Sequence, residues 1–577
     1  MADPEKGPPL STIEGRNASH PPTDDVEGPG AAKEMEAATG KEDEISIAPS
    51  HASSCSEHHG DVKSARMPPA TLYRTTSVTP EAVIVNRKDR RGLFASLTLI
   101  PEVSNPYHYA RRTKWILTMT IAFAGMAGPM GSAIVMPVLQ EIAEQYHATH
   151  TIANMSVAVY MLAMGIFPLW WSSFSETTGR RTIYIISFTL FVVFAILSAI
   201  STNISMLIIF RTFSGGAAAS VQAVGGGTIA DIWEVRERGK AMGLFYLGPL
   251  CGPLFAPIIG GALGAGLGWR STQWFLVIYG GITVSLLLFA LPETLRSKKG
   301  LNTPQEAGTT SEKAATRPEL TRISTRQSVK QNSKAYVKHF KRIFIDPLVV
   351  LTWLRYPAVL LTVYYASITF GSLYFLNISI QATFSAAPYS FSTLIIGLLY
   401  IPNSLGYLLT SIFGGRWIDH IMIREATKAG RYDDRGKLIF IPEDRMRENA
   451  WIAAILFPGA LIWYAWSAEF GVYWVCPMIA NFFFGVGSML IFSMATTMLT
   501  EFMPKRASAG IAINNFLRSM FCFVGAVTAE LAISKIGNGW LFTILGLWSV
   551  ISGLGVILTM RRFGPGWRQA MVEGLGQ

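Results

Sequence analysis

The sequence predicts an all-α membrane protein whose twelve transmembrane helices form two six-helix halves. Half of the 577 residues are hydrophobic, only 15% are charged, and charged residues are absent from long stretches. Soluble proteins carry roughly a quarter of charged residues, and a bilayer-spanning helix needs about 20 apolar ones. The uncharged stretches are 116–140, 151–175, 182–210, 241–269, 271–292, 356–415 and 471–500. This pattern excludes a soluble enzyme, a nucleic-acid-binding protein and a secreted disulfide scaffold.

The chain begins with a polar region ahead of the first apolar segment. Residues 1–90 are expected to form a disordered cytoplasmic tail, because they are rich in Pro, Ser, Gly and acidic residues. Residues 91–114 form a basic segment that is expected to lie at the membrane interface. Within it, residues 92–100 are predicted either as a short interfacial helix at anionic lipid or as an ordinary linker.

Twelve apolar segments come next, in two groups of six. An N-terminal bundle covers residues 115–291, a cytoplasmic linker 292–356, a C-terminal bundle 357–560, and a cytoplasmic C-terminal tail 561–577. The predicted spans are 115–139, 152–174, 183–202, 206–230, 241–266, 272–291, 357–377, 391–413, 450–467, 471–497, 508–530 and 540–560. The cytoplasmic loop 414–449 is expected to be solvated, with an ordered flap as the alternative. Two groups of six spans joined by a long loop are a transporter layout.

The placement of Lys and Arg predicts the orientation. If the N-terminus is cytoplasmic, the outer connections hold only Arg270 and Lys535, and the inner ones hold the other basic residues between spans. Cytoplasmic loops of membrane proteins carry such an excess. The net charge of +11 is therefore a topology signal and gives no reason to expect nucleic acid as a partner. We expect a multi-pass plasma-membrane protein with both termini in the cytoplasm.

A short polar motif joins spans two and three. It consists of Glu176, Gly179, Arg180 and Arg181. A carboxylate that ends one helix and guanidinium groups that begin the next can form an ion pair, which holds one conformation and releases it when a charge is neutralised. In the second half, Asp419 and Arg424 repeat the five-residue offset. The repetition indicates an internal duplication and a pair of inner gates.

Span five combines small residues with prolines. These residues are Gly248, Gly252, Pro253, Pro257, Gly260 and Gly261. Glycines at this spacing allow a neighbouring helix to approach closely, and prolines remove backbone donors and bend a helix. Ordinary tight packing is the alternative explanation.

Ionisable residues inside the spans are few. A charge in the middle of the bilayer costs roughly 2.5 to 3.5 kcal/mol, so such a residue usually faces a cavity or a partner. The clear cases are Arg211 in span four, Arg518 in span eleven and Glu530 near the end of span eleven. We expect Arg211 and Arg518 to serve transport, whereas Glu530 fits an interfacial carboxylate equally well.

These motifs resemble those of the major facilitator superfamily. The loop between spans two and three is similar to the family motif G-x-L-a-D-r-x-G-R-r, with Glu176 in place of Asp and Ser172 in place of the first Gly. Span four begins with Arg211 and Gly215, similar to the family's R-x-x-x-G, and span five resembles its antiporter signature. A closer resemblance is to fungal twelve-span drug:proton antiporters of the quinidine-resistance and dityrosine-exporter branch. It is carried by LTLIPEVSNP at 97–106, LPETLR at 291–296 and NNFLR at 514–518.

The resemblance implies a central cavity lined by spans one, four, seven and ten. The interiors of these spans contain no Asp or Glu, so proton coupling is implied by the resemblance alone, and Glu176, Asp231, Asp419 and Glu530 are the candidate carboxylates. Asp231, at the end of span four, joins the predicted inner gate. The polar and aromatic candidates for the cavity are Gln222, Tyr364, Tyr365, Asn377, Asn481, Asn514 and Asn515.

The predicted function is proton-coupled export, by alternating access, of small amphipathic or cationic molecules such as drugs, polyamines or amino-acid derivatives. Two alternatives stay open: a metabolite facilitator or importer of the same fold, and a non-transporting membrane receptor. No enzymatic activity, cofactor or metal is expected, because the spans show no His/Asp/Glu cluster and no Ser/His pair. The expected partners are the substrate, protons and the bilayer, and the protein is expected to be monomeric.

Overall fold

A computed structural model describes residues 83–295, 345–433, 436, 438–502 and 507–575. These ranges include both predicted helical bundles and most of the loop between spans eight and nine. The predicted tail as far as residue 82 and the predicted linker between 296 and 344 lie outside the described residues.

Helices form almost all of the described structure, and the long ones are labelled α1 to α12. Their bounds are Arg111–Ala133 (α1), His150–Ile166 with Pro168–Thr178 (α2), Arg180–Ala199 (α3), Ile204–Ile232 (α4), Val235–Leu267 (α5), Arg270–Ala290 (α6), Pro357–Ser385 (α7), Thr393–Lys428 (α8), Glu448–Glu469 (α9) and Val475–Phe502 (α10), followed by 507–536 (α11) and 538–575 (α12). The two parts of α2 meet at 41°, where Pro168 begins the second part. Gly537, with φ 74° and ψ 169°, separates α11 from α12.

Short helical pieces connect the long helices. They are the 3-10 turns Ala95–Leu97, Pro106–His108, Met136–Val138, Val350–Arg355 and Pro442–Arg445, and the α-helical pieces Leu139–Gln145 and Asp346–Val349. Two isolated antiparallel bridges join Ile84 to Val103 and Tyr432 to Leu438.

The helices bear out the predicted fold class. Among the described residues, ten helices are long and apolar enough to cross a membrane, and the bent α2 makes eleven. The break at Gly537 divides the longest of them into two, which gives twelve spans. The helices run past the predicted spans, with α7 ending at Ser385 and α8 at Lys428. For α8 the apolar window ends where charged residues begin at Arg416, whereas the helix continues beyond it.

In two polar segments the structure favours one of the two alternatives that the sequence left open. Residues 92–100 contain only the 3-10 turn Ala95–Leu97 and no longer helix. Within 414–449, α8 continues to Lys428, and the turn Pro442–Arg445 packs against the bundle with Asp444 6% and Arg445 9% exposed. The ordered alternative therefore describes this loop better than a solvated one, because its charged side chains are held in ion pairs.

The glycines of α5 permit backbone contact with other helices. A Cβ at Gly248 would overlap the Ala122 carbonyl oxygen of α1, and one at Gly260 would overlap the Ile134 carbonyl oxygen. A Cβ at Gly252 would lie 3.0 Å from the backbone nitrogen of Met130. These three glycines allow α5 to pack closely against the backbone of α1 and of Ile134, which follows it, within the N-terminal bundle. This agrees with the explanation by tight packing.

Gly261 has a different neighbour, in the other half of the molecule. A Cβ there would lie 2.8 Å from the Thr393 carbonyl oxygen at the start of α8. On α8, a Cβ at Gly397 would overlap the Pro257 carbonyl oxygen of α5. The two halves are therefore in backbone contact along this part of α5 and α8.

We expect Gly248→Ala to lower the melting temperature of the purified protein. The added Cβ meets a backbone carbonyl that cannot rotate away, and overpacking of this kind costs about 1 to 3 kcal/mol. Gly266→Ala is the matched control, because the Cβ at this position of the same helix has open space. Gly266→Ala should keep or raise the melting temperature, because Ala is the better helix former, and an equal fall in both variants would contradict the assigned contact with α1.

Candidate transport cavity and gate

One end of the bundle carries the start of α3 and the loop before α9, with Arg180, Arg181 and Arg445; we call it the basic end. Arg180 Nε donates to Oδ2 of Asp231 at 3.2 Å. Its Nη1 donates to the Ser175 hydroxyl at 2.6 Å. The Arg180 and Asp231 side chains are only 10% and 19% exposed, so this ion pair ties the start of α3 to the end of α4 in a mostly buried environment.

Glu293, directly after α6, caps the start of α3. Its Oε1 accepts hydrogen bonds from the backbone N–H groups of Arg180, Thr294 and Leu295 at 3.0, 3.0 and 2.9 Å. Its Oε2 accepts from the N–H of Arg181 at 3.2 Å. The first amides of a helix have no partner within the helix, and a negative charge there is favourable. The carboxylate therefore holds the end of α6 against the start of α3.

Gly179 is required for this contact. Its φ of 104° and ψ of 149° lie in a region that L side chains rarely adopt. A Cβ at this position would lie 2.5 Å from Oε2 of Glu293. Burial raises the pKa of the Glu293 carboxyl, against the opposing effect of the N–H groups of Leu295, Arg180 and Arg181.

Arg181 is fully buried and is solvated by carbonyl groups. Its guanidinium donates to five backbone oxygens, those of Leu93, Phe94, Leu287, Leu288 and Leu291. The oxygens belong to the segment before α1 and to the last turn of α6. Arg181 thus fastens the basic segment 91–100 to the bundle.

The structure corrects the predicted partner of these arginines. Glu176 is exposed on the last turn of α2, and among the described residues no cation lies within ion-pair distance of its carboxylate. The turn at Gly179 directs α3 away from α2, so that Arg180 meets α4 and both arginines meet Glu293. Sequence spacing alone does not contain this change of direction.

The second half shows a similar correction. Arg445, in the loop before α9, contacts Oδ1 of Asp419 at 3.3 Å and Oε1 of Glu501 at 2.5 Å. Arg424, the predicted partner of Asp419, instead contacts Glu448 at 2.6 Å and Glu425 at 3.1 Å. Arg445 therefore joins the ends of α8 and α10, and the predicted Asp419–Arg424 pair does not form.

A cavity of about 370 Å³ lies between the two halves. Its walls come from α1, α2, α4 and α5 of the first half and from α7, α8, α10 and α11 of the second. The cavity extends towards the basic end, where it is lined by Gly243 of α5, Ser411 of α8, Thr497 of α10 and Ile511 of α11. Towards the opposite end, the contact of Gly261 with Thr393 closes the space between α5 and α8.

The predicted cavity residues divide into two groups. Those that line the cavity are Gln222, Asn377, Asn514, Asn515 and Arg518, together with Pro253 and Pro257 of α5. Gln222 and Asn515 form a 3.5 Å hydrogen bond between the halves, and the Asn514 amide lies 3.5 Å from the Thr496 hydroxyl.

The other group lies outside the lining. Tyr365 is 1% exposed and packs against Gly553 of α12, and the Tyr364 hydroxyl lies 3.3 Å from that of Ser552 on the same helix. Asn481 is fully buried, with its amide 3.5 Å from the Leu399 carbonyl oxygen. These three residues are corrected from cavity to packing positions, because their faces of α7 and α10 point into the second half.

Arg211 also lies behind the cavity wall, with 1% exposure. Its guanidinium donates to the carbonyl oxygens of Gly131 and Ser156 at 2.9 and 3.2 Å. It also donates to Oε1 of Gln273 at 3.3 Å and lies 5.1 Å from the centre of the Tyr160 ring. Arg211 thus joins α4 to α1, α2 and α6.

Sequence reasoning missed several wall residues. They are Tyr246, Phe370, Tyr374, Asn403, Tyr407, Phe492 and Thr496. Tyr374 lies nine residues after Tyr365, a rotation of about 900° at 100° per residue, which places the two tyrosines on opposite faces of α7. If the face of α7 that carries Tyr365 had been assigned to packing, this rotation would have predicted that Tyr374 lines the cavity.

Residues 121–526 match the family model of the Major Facilitator Superfamily. The chain is 33% identical to MFS antiporter QDR3 of Candida albicans, over 86% of this chain and 84% of that protein. It is 31% identical to quinidine resistance protein 3 of Saccharomyces cerevisiae, over 85% of this chain and 88% of that protein. A crystal structure of a D-xylose-proton symporter covers 77% of this chain and 97% of its own, with a TM-score of 0.55 and 14% identity, and so supports the fold.

The family match and these relatives define a multi-pass membrane transporter and not an enzyme, in agreement with the two helical halves and the cavity between them. The chain belongs to the major facilitator superfamily. Its resemblance to fungal transporters of the quinidine-resistance branch, inferred from short motifs, is confirmed by these two relatives, one of which is named an antiporter.

We expect Asp231→Asn to lower the melting temperature more than Glu176→Gln. Loss of the Asp231 charge leaves the mostly buried Arg180 guanidinium without its carboxylate, and an unsatisfied buried partner costs about 1 to 3 kcal/mol. Glu176 is the matched control at the same end of the bundle, because its carboxylate is exposed. Thermal unfolding of the purified variants measures both effects, and equal shifts would contradict the assigned pairing.

The Glu293 carboxyl predicts a pH effect. Because burial raises its pKa, the folded protein holds this proton up to a higher pH than the unfolded chain does. Its contribution to stability is then present at low pH and is lost as pH rises through the raised pKa. Between the pKa of a free glutamate and the raised pKa of Glu293, the melting temperature should fall less steeply with rising pH in Glu293→Gln than in the parent protein. The same dependence on pH in both proteins would show that the Glu293 carboxyl does not cause the pH effect.

Proposed function

We propose that this protein is a proton-coupled antiporter that exports small amphipathic molecules by alternating access. It acts as a monomer in the plasma membrane, with both termini in the cytoplasm. The observation that carries the proposal is the cavity between the two halves, which extends to the basic end and stops at the α5–α8 contact. A cavity reached from one side is what a rocking two-bundle transporter presents in one of its states. With Lys and Arg on the cytoplasmic side, this state faces the cytoplasm.

The cavity wall narrows the predicted substrates. It is mostly apolar and aromatic, and the described residues that line it include no Asp or Glu. Polyamines carry several positive charges and little apolar surface, so they need carboxylates to replace water. Amphipathic drugs and amino-acid derivatives fit this wall better than polyamines do.

Proton coupling is proposed at the basic end. The Asp231–Arg180 pair and the Arg445 contacts with Asp419 and Glu501 hold helix ends together there. Protonation of a carboxylate removes the charge that keeps such a contact closed, and this can shift the balance between two conformations. Glu293 adds a buried carboxyl with a raised pKa to the candidates.

A flux assay in sealed vesicles tests this function. Purified protein in vesicles with an acidic interior should accumulate labelled quinidine or naphthylacetate, and a protonophore should abolish the accumulation. Protein-free vesicles control for passive trapping of a weak base. Flux that ignores the pH gradient would reject antiport in favour of a facilitator, accumulation driven in the direction of proton movement would indicate an importer, and no flux for either compound would favour the receptor alternative.

A further inference from the structure

Arg518 is a cation in the cavity wall whose charge the described residues do not neutralise. Its guanidinium has no hydrogen bond and no ion pair within the described part of the chain, and Nε is shielded from water without a partner. This contrasts with Arg181 and Arg211, whose guanidinium groups are surrounded by acceptor oxygens. Arg518 as a whole is half-buried. A charge that has lost part of its water and has no protein partner is costly, so its presence in the wall indicates a position for a ligand.

The surroundings of Arg518 are aromatic and uncharged. The guanidinium lies 4.5 Å from the centre of the Phe370 ring and 5.3 Å from that of Phe492. Such cation–π contacts stabilise a cation by less than a charge loses on leaving water. The titratable groups that face Arg518 are three phenols and a thiol, which are neutral near pH 7: Tyr246 of α5, Tyr374 of α7, Tyr407 of α8 and Cys522 of α11.

Polar groups beside Arg518 include one unused acceptor, which suits a donor group of a ligand and not its anionic group. One turn earlier on α11, Oδ1 of Asn514 is shielded from water and has no donor among the described residues. Asn515 and Gln222 contribute amides to the same wall. Farther along the cavity, the wall is apolar, with Leu250 of α5 and Met489 of α10.

We propose that Arg518 binds the anionic group of an amphipathic organic monoanion, whose apolar body lies along the aromatic and aliphatic wall. A guanidinium presents its N–H donors in a planar fork that matches a carboxylate. One unpartnered cation balances one negative charge, which points to a monoanion and away from a polyanion. This inference rests on the proposed transport function only in naming the ligand as the transported species.

Binding to the detergent-solubilised, full-length protein tests the charge preference without requiring flux. The probes are naphthylacetate, its neutral amide naphthylacetamide and the cation naphthylethylamine, which share one aromatic body. Calorimetric titration should give at least about tenfold tighter binding of the acid than of the amide or the amine. Equal affinities for the three probes, or no binding of the acid, overturn the proposal.

Variants at the site separate binding from folding. Arg518→Gln should lose the preference for the acid, whereas Arg518→Lys should keep much of it, because the charge remains. Arg562→Gln, which removes the same charge from an exposed position on α12, should bind like the parent protein. Without ligand, Arg518→Gln should melt at the same or a higher temperature than the parent, because an unpartnered charge is removed. A lower melting temperature, with acid preference kept, would mark Arg518 as structural and reject the site.

Two further experiments test whether the site binds an amphipathic anion and whether that anion is transported. Chloride or inorganic phosphate that stabilises the protein as strongly as naphthylacetate would show a general anion site and reject the amphipathic ligand. In the vesicle assay, acid binding without flux rejects the exporter and keeps the Arg518 site. Flux with no preference among the three probes rejects the Arg518 assignment and keeps the exporter.

Discussion

Charged groups that leave water must find partners, and this constraint orders the molecule from its basic end to its centre. At the basic end, carboxylates neutralise Arg180 and Arg445 and hold helix ends together. Deeper in the first half, Arg211 is solvated by carbonyl oxygens and a glutamine instead of a carboxylate. In the cavity, Arg518 has neither kind of partner within the described part of the chain. The three environments differ accordingly: carboxylates pair with half-buried or buried arginines at helix ends, carbonyl oxygens surround an arginine inside a bundle, and the arginine of the cavity is left for a ligand.

The same constraint applies to backbone amides and produces a repeated device. At three places a glycine with positive φ precedes a helix, and a glutamate from another segment accepts a hydrogen bond from a backbone amide at the start of that helix. The pairs are Gly179 with Glu293 at α3, Gly268 with Glu141 at α6, and Gly537 with Glu469 at α12. Each carboxylate supplies acceptors that a helix start lacks and fixes the position of one helix end relative to another. Short turns between long helices are thereby held rigid, as bundles that move as units require.

Much of the fold could be predicted from the sequence, because the absence of charge over about 20 residues is a strong and local signal. The close packing at the glycines of α5 could also be predicted, since small residues at helical spacing permit backbone contact. The partners of the charged residues were harder to predict. Glu293 lies 113 residues after Arg180, and the spacing between Glu176 and Arg180 does not show how the chain turns at Gly179. Cavity membership was harder still. Tyr365 and Tyr374 cannot be distinguished by residue type, and only the rotation of α7 places the first against α12 and the second in the wall.

The charge of the cavity determines how the two driving forces of an antiporter combine. With a cytoplasmic basic end, exchange of one entering proton for one leaving cation moves no net charge, so the membrane potential contributes nothing. Exchange of one entering proton for one leaving monoanion moves two positive charge equivalents inward, and each is worth about 2.3 kcal/mol per 100 mV. A wall with an unpartnered arginine and, among its described residues, no carboxylate therefore suits export powered by voltage as well as by the pH gradient. In the mechanism we propose, the roles of the residues are separate: the proton acts on carboxylates at the basic end and the substrate acts on Arg518. The two would then be coupled through the movement of the bundles and not through competition for one group.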